Sequence, residues 1–379
     1  VAGYLMLNRL VLLNADQKMY ITKTYSMVFN TVRSIAQILS LLWFESFLIY
    51  LLIQVVCTVA NNLVVYIKAG YIYPDLKEGA TPLGVAERRQ IRESVRALMV
   101  FRVGGLALQN SVPVLISVIV GTVALGYYSN YLLVVSSAVM ITETVFSSLT
   151  PSVGNLLAGG DREAGRRLFD EIVLLSVVLH GAIAVTTLVL VDDFIVLWIG
   201  PEFVLPPEVV VAIVVNFYVM GSMMPIWSFR SATGLFRKTQ GVVLTTAAVS
   251  IVLSFVLGPL YGLAGIVVAP ALARVMTGGW YEPWLLLRDY LAGSSMKFFA
   301  LQSGAFLLWA FLGAGVLALG SFSPWGPFGS MVATAGVLLV LLPAATWLAF
   351  GRMTAYRGLV RRVLGLILAG RATMGSAKT

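Results

Sequence analysis

The stretch "KTYSMVFNTVRSIAQILSLLWF", residues 23–44, decides how the whole chain is read. It is apolar, and long enough to cross a hydrocarbon core of about 30 Å as a helix of about 20 residues. Yet it carries Arg33 near its centre. On a helix, Ser26, Asn30, Arg33, Gln37 and Ser40 follow steps of four, three, four and three, so they form one polar stripe on an otherwise apolar rod. An arginine at mid-bilayer costs about 2.5–3.5 kcal/mol on insertion scales. Lys23 marks the nearer boundary, and Arg33 lies about 15 Å further in at the helical rise, which makes snorkelling difficult. The stripe is expected to face a wet cavity or another helix.

Runs of the same kind recur along the chain. Ten spans are expected, at about 24–43, 47–67, 103–125, 131–151, 170–190, 209–228, 240–258, 262–281, 299–319 and 329–349. Composition agrees: 59% of residues are hydrophobic, 11% are charged and the mean hydropathy is +0.91, against roughly a quarter charged in a soluble domain. A membrane barrel would show alternating segments of about ten residues instead. The expected fold class is an all-α polytopic membrane protein. Cys57 is the one cysteine and His180 the one histidine, which excludes an intrachain disulfide, a thiolate metal cluster and a multi-histidine metal site. No cofactor is expected. His180, in "VVLHGAIAV", is read as a packed core residue rather than a proton relay.

The formal net charge of +9 is explained by topology before any nucleic acid is invoked. If residues 1–22 are cytoplasmic, the outer loops fall at about 44–46, 126–130, 191–208, 259–261 and 320–328. None of the 26 Lys and Arg residues lies in them. Cytoplasmic loops carry the Lys and Arg excess, so the carboxy terminus is expected on the cytoplasmic side of the membrane. The longest outer loop, "VDDFIVLWIGPEFVLPPE", is acidic. The tail after residue 350 has six basic residues and no acidic one, a pattern suited to the anionic inner leaflet. The chain opens on Val1 with no signal-peptide pattern, and is read as a fragment whose earlier helices precede it.

Residues 75–102, "DLKEGATPLGVAERRQIRESVRALMVFR", form the longest polar segment between spans and read as a cytoplasmic connector containing a basic helix. A weak repeat flanks it. "NRLVLLNADQKMYI" precedes a helix pair ending in "GYIYPDL", and "FRSATGLFRKTQGV" precedes a pair ending in "GGWYEPWLL"; paired halves of this kind are common in secondary transporters. The resulting division is 1–80 as the remainder of a first lobe, 81–102 as connector, 103–290 as a second six-helix lobe, 291–350 as an appended helix pair and 351–379 as a basic tail.

Other spans carry polar faces as well. Arg102, Gln109, Pro113 and Ser117 lie on one face of the third span with Asn110 beside them, Ser136, Met140, Glu143 and Ser147 on a face of the fourth, and Arg274, Thr277 and Tyr281 near the inner end of the eighth. Several such faces imply a shared interior, and Arg33, Arg102 and Arg274 against Glu143 make it basic. A cationic, wet cavity suits a phosphate or pyrophosphate, because guanidinium matches phosphate oxygens in bidentate geometry. The competing reading pairs Arg33 with Glu143 as an interhelical tie and leaves Arg102 and Arg274 as boundary residues.

The loops add a resemblance. "GYYSNYLLV" at 126–134, "SSLTPSVGNLLAGGDREAGRRLF" at 147–169, "FIVLWIGPEFVL" at 194–205, "FRSATGLFRKTQ" at 229–240 and "WYEPWLLLRDYL" at 280–291 resemble, in order and spacing, the Wzx-type polysaccharide repeat-unit flippases of the multidrug/oligosaccharidyl-lipid/polysaccharide exporter superfamily. "LLNADQKMYI" at 12–21 and "YIYPDL" at 71–76 fit the same family's first half. The resemblance implies twelve to fourteen helices in two lobes around a central cavity, with this chain holding the fifth helix onward. It also implies alternating access that carries undecaprenyl-pyrophosphate-linked oligosaccharides from the inner to the outer leaflet for surface polysaccharides such as O-antigen or capsule.

In that frame Arg33, Arg102 and Arg274 would hold the pyrophosphate, and Asn30, Gln37, Gln109 and Asn110 would contact sugars. Glu143 is the candidate for ion coupling, and Asp16, Lys18 and Arg230 are candidates for an inner gate. Membrane lipid, a polysaccharide polymerase and chain-length machinery would be partners. The rivals are a multidrug exporter of the same superfamily, which predicts an acidic cavity, a polytopic glycan polymerase or glycosyltransferase, which predicts a catalytic outer loop, and a scaffold for glycan assembly. No phosphate-binding Gly-rich loop is present to support ATP hydrolysis.

Overall fold

The computed structural model describes residues 13, 16, 18–73, 84–320 and 326–362. Among them nine helices are long and apolar enough to cross a membrane and no strand occurs, so this is a multi-pass, all-α membrane protein. The chain divides into two compact units, Val1–Arg88 and Arg89–Thr379.

The first unit is a helical hairpin. Helix α1 (Met19–Phe44) ends at Glu45 in a left-handed conformation, and α2 (Phe47–Ile72) starts two residues later. Each has 26 residues, about 39 Å of helix, which exceeds the hydrocarbon thickness. Their outward sides are leucine, valine and isoleucine, as a lipid-facing surface requires. Lys18 Nζ lies 2.7 Å from Asp16 Oδ2, and Tyr73 OH donates to the same oxygen at 2.7 Å, which ties the start of α1 to the end of α2. The hydrogen bonds from Lys18 and Tyr73 hold the Asp16 carboxyl below its ordinary range, and the Asp16 contact raises Lys18.

The second unit begins in the basic segment expected as a connector. That segment is continuous with the third span as α3 (Val85–Ile119). Helices α4 (Thr122–Ala158), α5 (Arg162–Trp198), α6 (Pro207–Ser222) and α7 (Met224–Thr233) follow. Asp161 caps α5 by accepting from Ala164 N at 2.9 Å, as its position before "REAGRRLF" anticipates. Next come α8 (Phe236–Met276), α9 (Gly278–Leu286), a π turn at Leu287–Leu291, α10 (Ser295–Gly320) and α11 (Pro327–Phe350).

Several expected boundaries move. The turn expected at 126–130 lies instead at Val120–Gly121, and 126–130 is inside α4. The polar cluster "GYYSNY" is accommodated in a helix because Ser129 and Tyr131 find partners there. Ser129 Oγ donates to Leu125 O; Tyr131 OH donates to Asp192 Oδ1 at 2.6 Å and accepts from Leu205 N at 3.1 Å. Tyr131→Phe is therefore expected to cost about 1–3 kcal/mol, because it strands the buried Leu205 N–H and one carboxylate oxygen; a denaturant titration of the purified protein measures it.

The second shift is at the seventh and eighth spans. They form one helix, α8, whose 41 residues would reach about 60 Å, twice the hydrocarbon core. It breaks at Gly262, with φ 57° and ψ −137°, a backbone state open to glycine, so the two expected passes are restored by a kink. The eighth span stops at Thr277 rather than 281, and the sixth breaks at Met223. The outer loop expected at 320–328 lies largely outside the described residues, as do Arg9, most of the connector before Gly84 and the tail beyond residue 362.

At the centre of this unit stands α5, packed by α4, α6, α10 and α11. Leu174, Val177, Ala184, Val185, Val191 and Ile195 are buried along it. The helix pair α10 and α11, expected as an appendage, is part of this core.

Candidate functional site

The polar stripe of α1 divides along its length. Gln37 is buried, and its Nε2 donates to Tyr50 O of α2 at 3.3 Å; Ser40, also buried, donates to Gln37 O. The Ser40 bond stays within α1, whereas Gln37 makes an interhelical hydrogen bond in place of the expected sugar contact. Asn30 is exposed and accepts from Ser34 Oγ through its backbone oxygen. Arg33 is half-buried on α1, with no hydrogen bond or ion pair among the described residues of its own unit. Of the three gate candidates, Asp16 and Lys18 pair with each other and with Tyr73 in the first unit, whereas Arg230 belongs to the second.

In the second unit several of the expected residues converge. Arg102 from α3, Glu143 from α4 and Arg274 from α8 line one cavity of about 220 Å³. Arg230 from α7 and Glu282 from α9 line it too. Arg230 is no exposed gate residue: it is 5% exposed, and its Nη1 donates to Glu282 Oε1 and Oε2 at 2.8 and 2.9 Å. The Arg230 guanidinium also stands 6.0 Å from the Trp227 ring. A second chamber of about 450 Å³ adjoins the first, sharing Leu108, Glu143, Met220 and Arg274 in its wall and adding Pro113, Ser136 and Asn216.

The charges in this wall are unevenly matched. Arg230 and Glu282 offset one another. Arg274 Nη1 donates to the neutral Asn216 Oδ1 at 3.1 Å. Arg102 and Glu143 have no hydrogen bond or ion pair among the described residues. Two guanidinium groups and one carboxylate thus line the cavity without an ionic partner among the described residues, Arg102 and Glu143 exposed and Arg274 half-buried, and water or a ligand must solvate them within the span.

Asn110 departs from its expected role. It is exposed and donates back to Leu106 O of its own helix at 2.9 Å, outside the cavity wall, a common resting place for an amide on a helix facing lipid. The Gln109 side chain lies outside the described residues. Glu282 and Asn216 are the residues that sequence reasoning missed. A signal for Glu282 existed: a lone carboxylate in "GGWYEPWLL" without a basic residue three or four positions away requires a partner from another helix.

His180 lies in the core beside α6, 1% exposed, between Phe146 and Phe217, with Nδ1 2.9 Å from Ser176 O. It does not line the cavity. No group of three metal-ligating side chains occurs among the described residues. The arginines of the cavity wall can hold an anion by hydrogen bonding and charge. No protein-family model, no curated protein and no solved structure matches this chain.

Proposed function

We propose that this protein is a flippase, which moves a polyprenyl-pyrophosphate-linked oligosaccharide from the inner to the outer leaflet of a bacterial plasma membrane. The observation that carries the reading is the pair of arginines, Arg102 and Arg274, facing one cavity without a carboxylate partner among the described residues. Guanidinium groups held this way offer forked donors to phosphate oxygens. The loops that resemble the Wzx-type flippases supply the class of cargo, and the kinked and broken helices α6 to α9 around the cavity are the kind of discontinuous elements that line transport sites. Glu282 does not favour a carrier of cationic drugs, because its charge is offset by Arg230. The prenyl chain would stay in lipid while the head group occupies the cavity.

The test is leaflet exchange in proteoliposomes containing the full chain, with a fluorescent prenyl-pyrophosphate disaccharide whose outer-leaflet pool is quenched by dithionite. Arg274→Ala and Arg102→Ala are each expected to slow exchange about tenfold or more, since a hydrogen bond to a charged group contributes about 1.5–3 kcal/mol. Arg274→Lys should keep part of the rate, retaining charge but losing the fork. Unchanged exchange in the Arg102→Ala/Arg274→Ala variant, at equal protein content, would refute the proposal.

A further inference from the structure

Arg230 and Glu282 pair in the cavity wall, but one further acid and one further base in it stand apart. Glu143 and Arg274 both line the 220 Å³ cavity and the 450 Å³ chamber beside it, yet they form no ion pair. Arg274 is bonded instead to the amide of Asn216. In the second chamber they are the two charged side chains in the wall, among apolar residues and the neutral groups of Tyr128, Ser129, Ser136 and Asn216.

A ligand carrying only negative charge would meet both signs here. Its phosphate would gain from Arg274 and be repelled by Glu143, and the repulsion grows as the ligand displaces the water between them. Filling the chamber would also strip water from a carboxylate that has no protein donor, which is costly unless the ligand supplies one. A ligand with an ammonium group a few bonds from its phosphate removes both penalties.

We propose that the head group recognised by this cavity is zwitterionic. Arg274, with Arg102 beside it, takes the phosphate oxygens, and Glu143 accepts hydrogen bonds from a protonated amine. This rests on the anion-carrying reading of the same cavity and narrows its substrate class. It also replaces the ion-coupling role that the sequence suggested for Glu143.

Dodecyl phosphate and dodecyl phosphoethanolamine separate the two ideas: both carry a phosphate on the same chain, but the first is a monoester with the greater negative charge and the second bears the ammonium group, so the arginines alone favour the first and a carboxylate that accepts from the ammonium favours the second. Both are titrated calorimetrically into the full chain in phosphatidylcholine nanodiscs, with empty nanodiscs subtracted. The wild-type protein is expected to bind the zwitterion about tenfold more tightly, the worth of one charge-assisted hydrogen bond. Glu143→Gln should abolish that preference, Glu143→Asp should keep part of it, and Arg274→Gln should weaken both amphiphiles together.

Equal affinities in the wild type, or a preference that survives Glu143→Gln, overturns the zwitterion assignment alone, provided dodecyl phosphate still depends on Arg274. If Glu143→Gln instead altered only the sodium or proton dependence of exchange, Glu143 would return to ion coupling and the assignment would fall. Dodecyl phosphate binding that ignores both Arg102→Gln and Arg274→Gln overturns the anion reading, and this inference with it.

Discussion

Replacing Arg230 by Met, or Glu282 by Leu, is expected to destabilise the second unit by about 3–5 kcal/mol, and the double variant is expected to recover most of that loss. Each residue is 5% exposed, and one guanidinium nitrogen reaches both carboxylate oxygens. Removing either partner leaves the other charged, buried and without its counterion, which is the expensive state. Removing both exchanges an ion pair for apolar contacts of similar volume, which is often close to neutral. The two single variants should also differ in pH response. A lone carboxyl can take up a proton and become neutral, whereas guanidinium stays charged, so Arg230→Met should regain stability as the pH falls and Glu282→Leu should not. Unfolding midpoints in a detergent titration at several pH values measure this. A double variant no more stable than the worse single one would show that the pair does not offset itself. Because α7 and α9 meet through this pair, the same measurement tests whether the break at Met223 and the short helix after Thr277 are held in register by charge.

The fold was legible wherever one apolar run coincides with one helix. Residues 24–43, 47–67 and 329–349 fall inside α1, α2 and α11 with small shifts at their ends. Hydropathy misplaces a helix end where polar residues sit in a helix and satisfy one another across the bundle. Tyr131, Asp192 and the Leu205 N–H form such a set, and hydropathy along a single segment has no access to a partner that is 61 residues away. Gly262 misleads in the opposite sense: the flanking sequence is helical on both sides, and only the backbone reversal at one glycine turns a rod too long for the bilayer into two passes.

The site follows the same logic. Arg102, Glu143 and Arg274 were visible because ionisable residues in spans are costly and need a reason. Asn216 and Glu282 were hidden because their roles are defined by the arginines they meet. Gln37 belongs to the polar stripe of α1, but a helix face shared with cavity-type residues can equally be the face that packs on its neighbour, and here it donates to the α2 backbone.

Trp309→Ala is expected to destabilise the protein by about 3 kcal/mol, the lower end of the range for buried tryptophan, because lipid provides no hydrophobic drive between helices and packing must hold them together. Trp309 is 3% exposed on α10, donates to Val177 O of α5 at 3.1 Å, and lies over Gly181, where a Cβ would overlap its indole ring. Gly181→Ala alone should therefore cost about 1–3 kcal/mol by overpacking. In the Trp309→Ala background the same methyl group enters the space left by the indole, and the added cost should vanish. Strictly additive losses in this double-mutant cycle would mean that α10 docks elsewhere. The consequence reaches the cavity, since α5 also backs α4 and α6, which carry Glu143 and Asn216. A helix pair that looks like an appendage in the sequence thus presses on the helix behind the cavity wall, and loosening it at Trp309 should disturb that wall as well as lower stability.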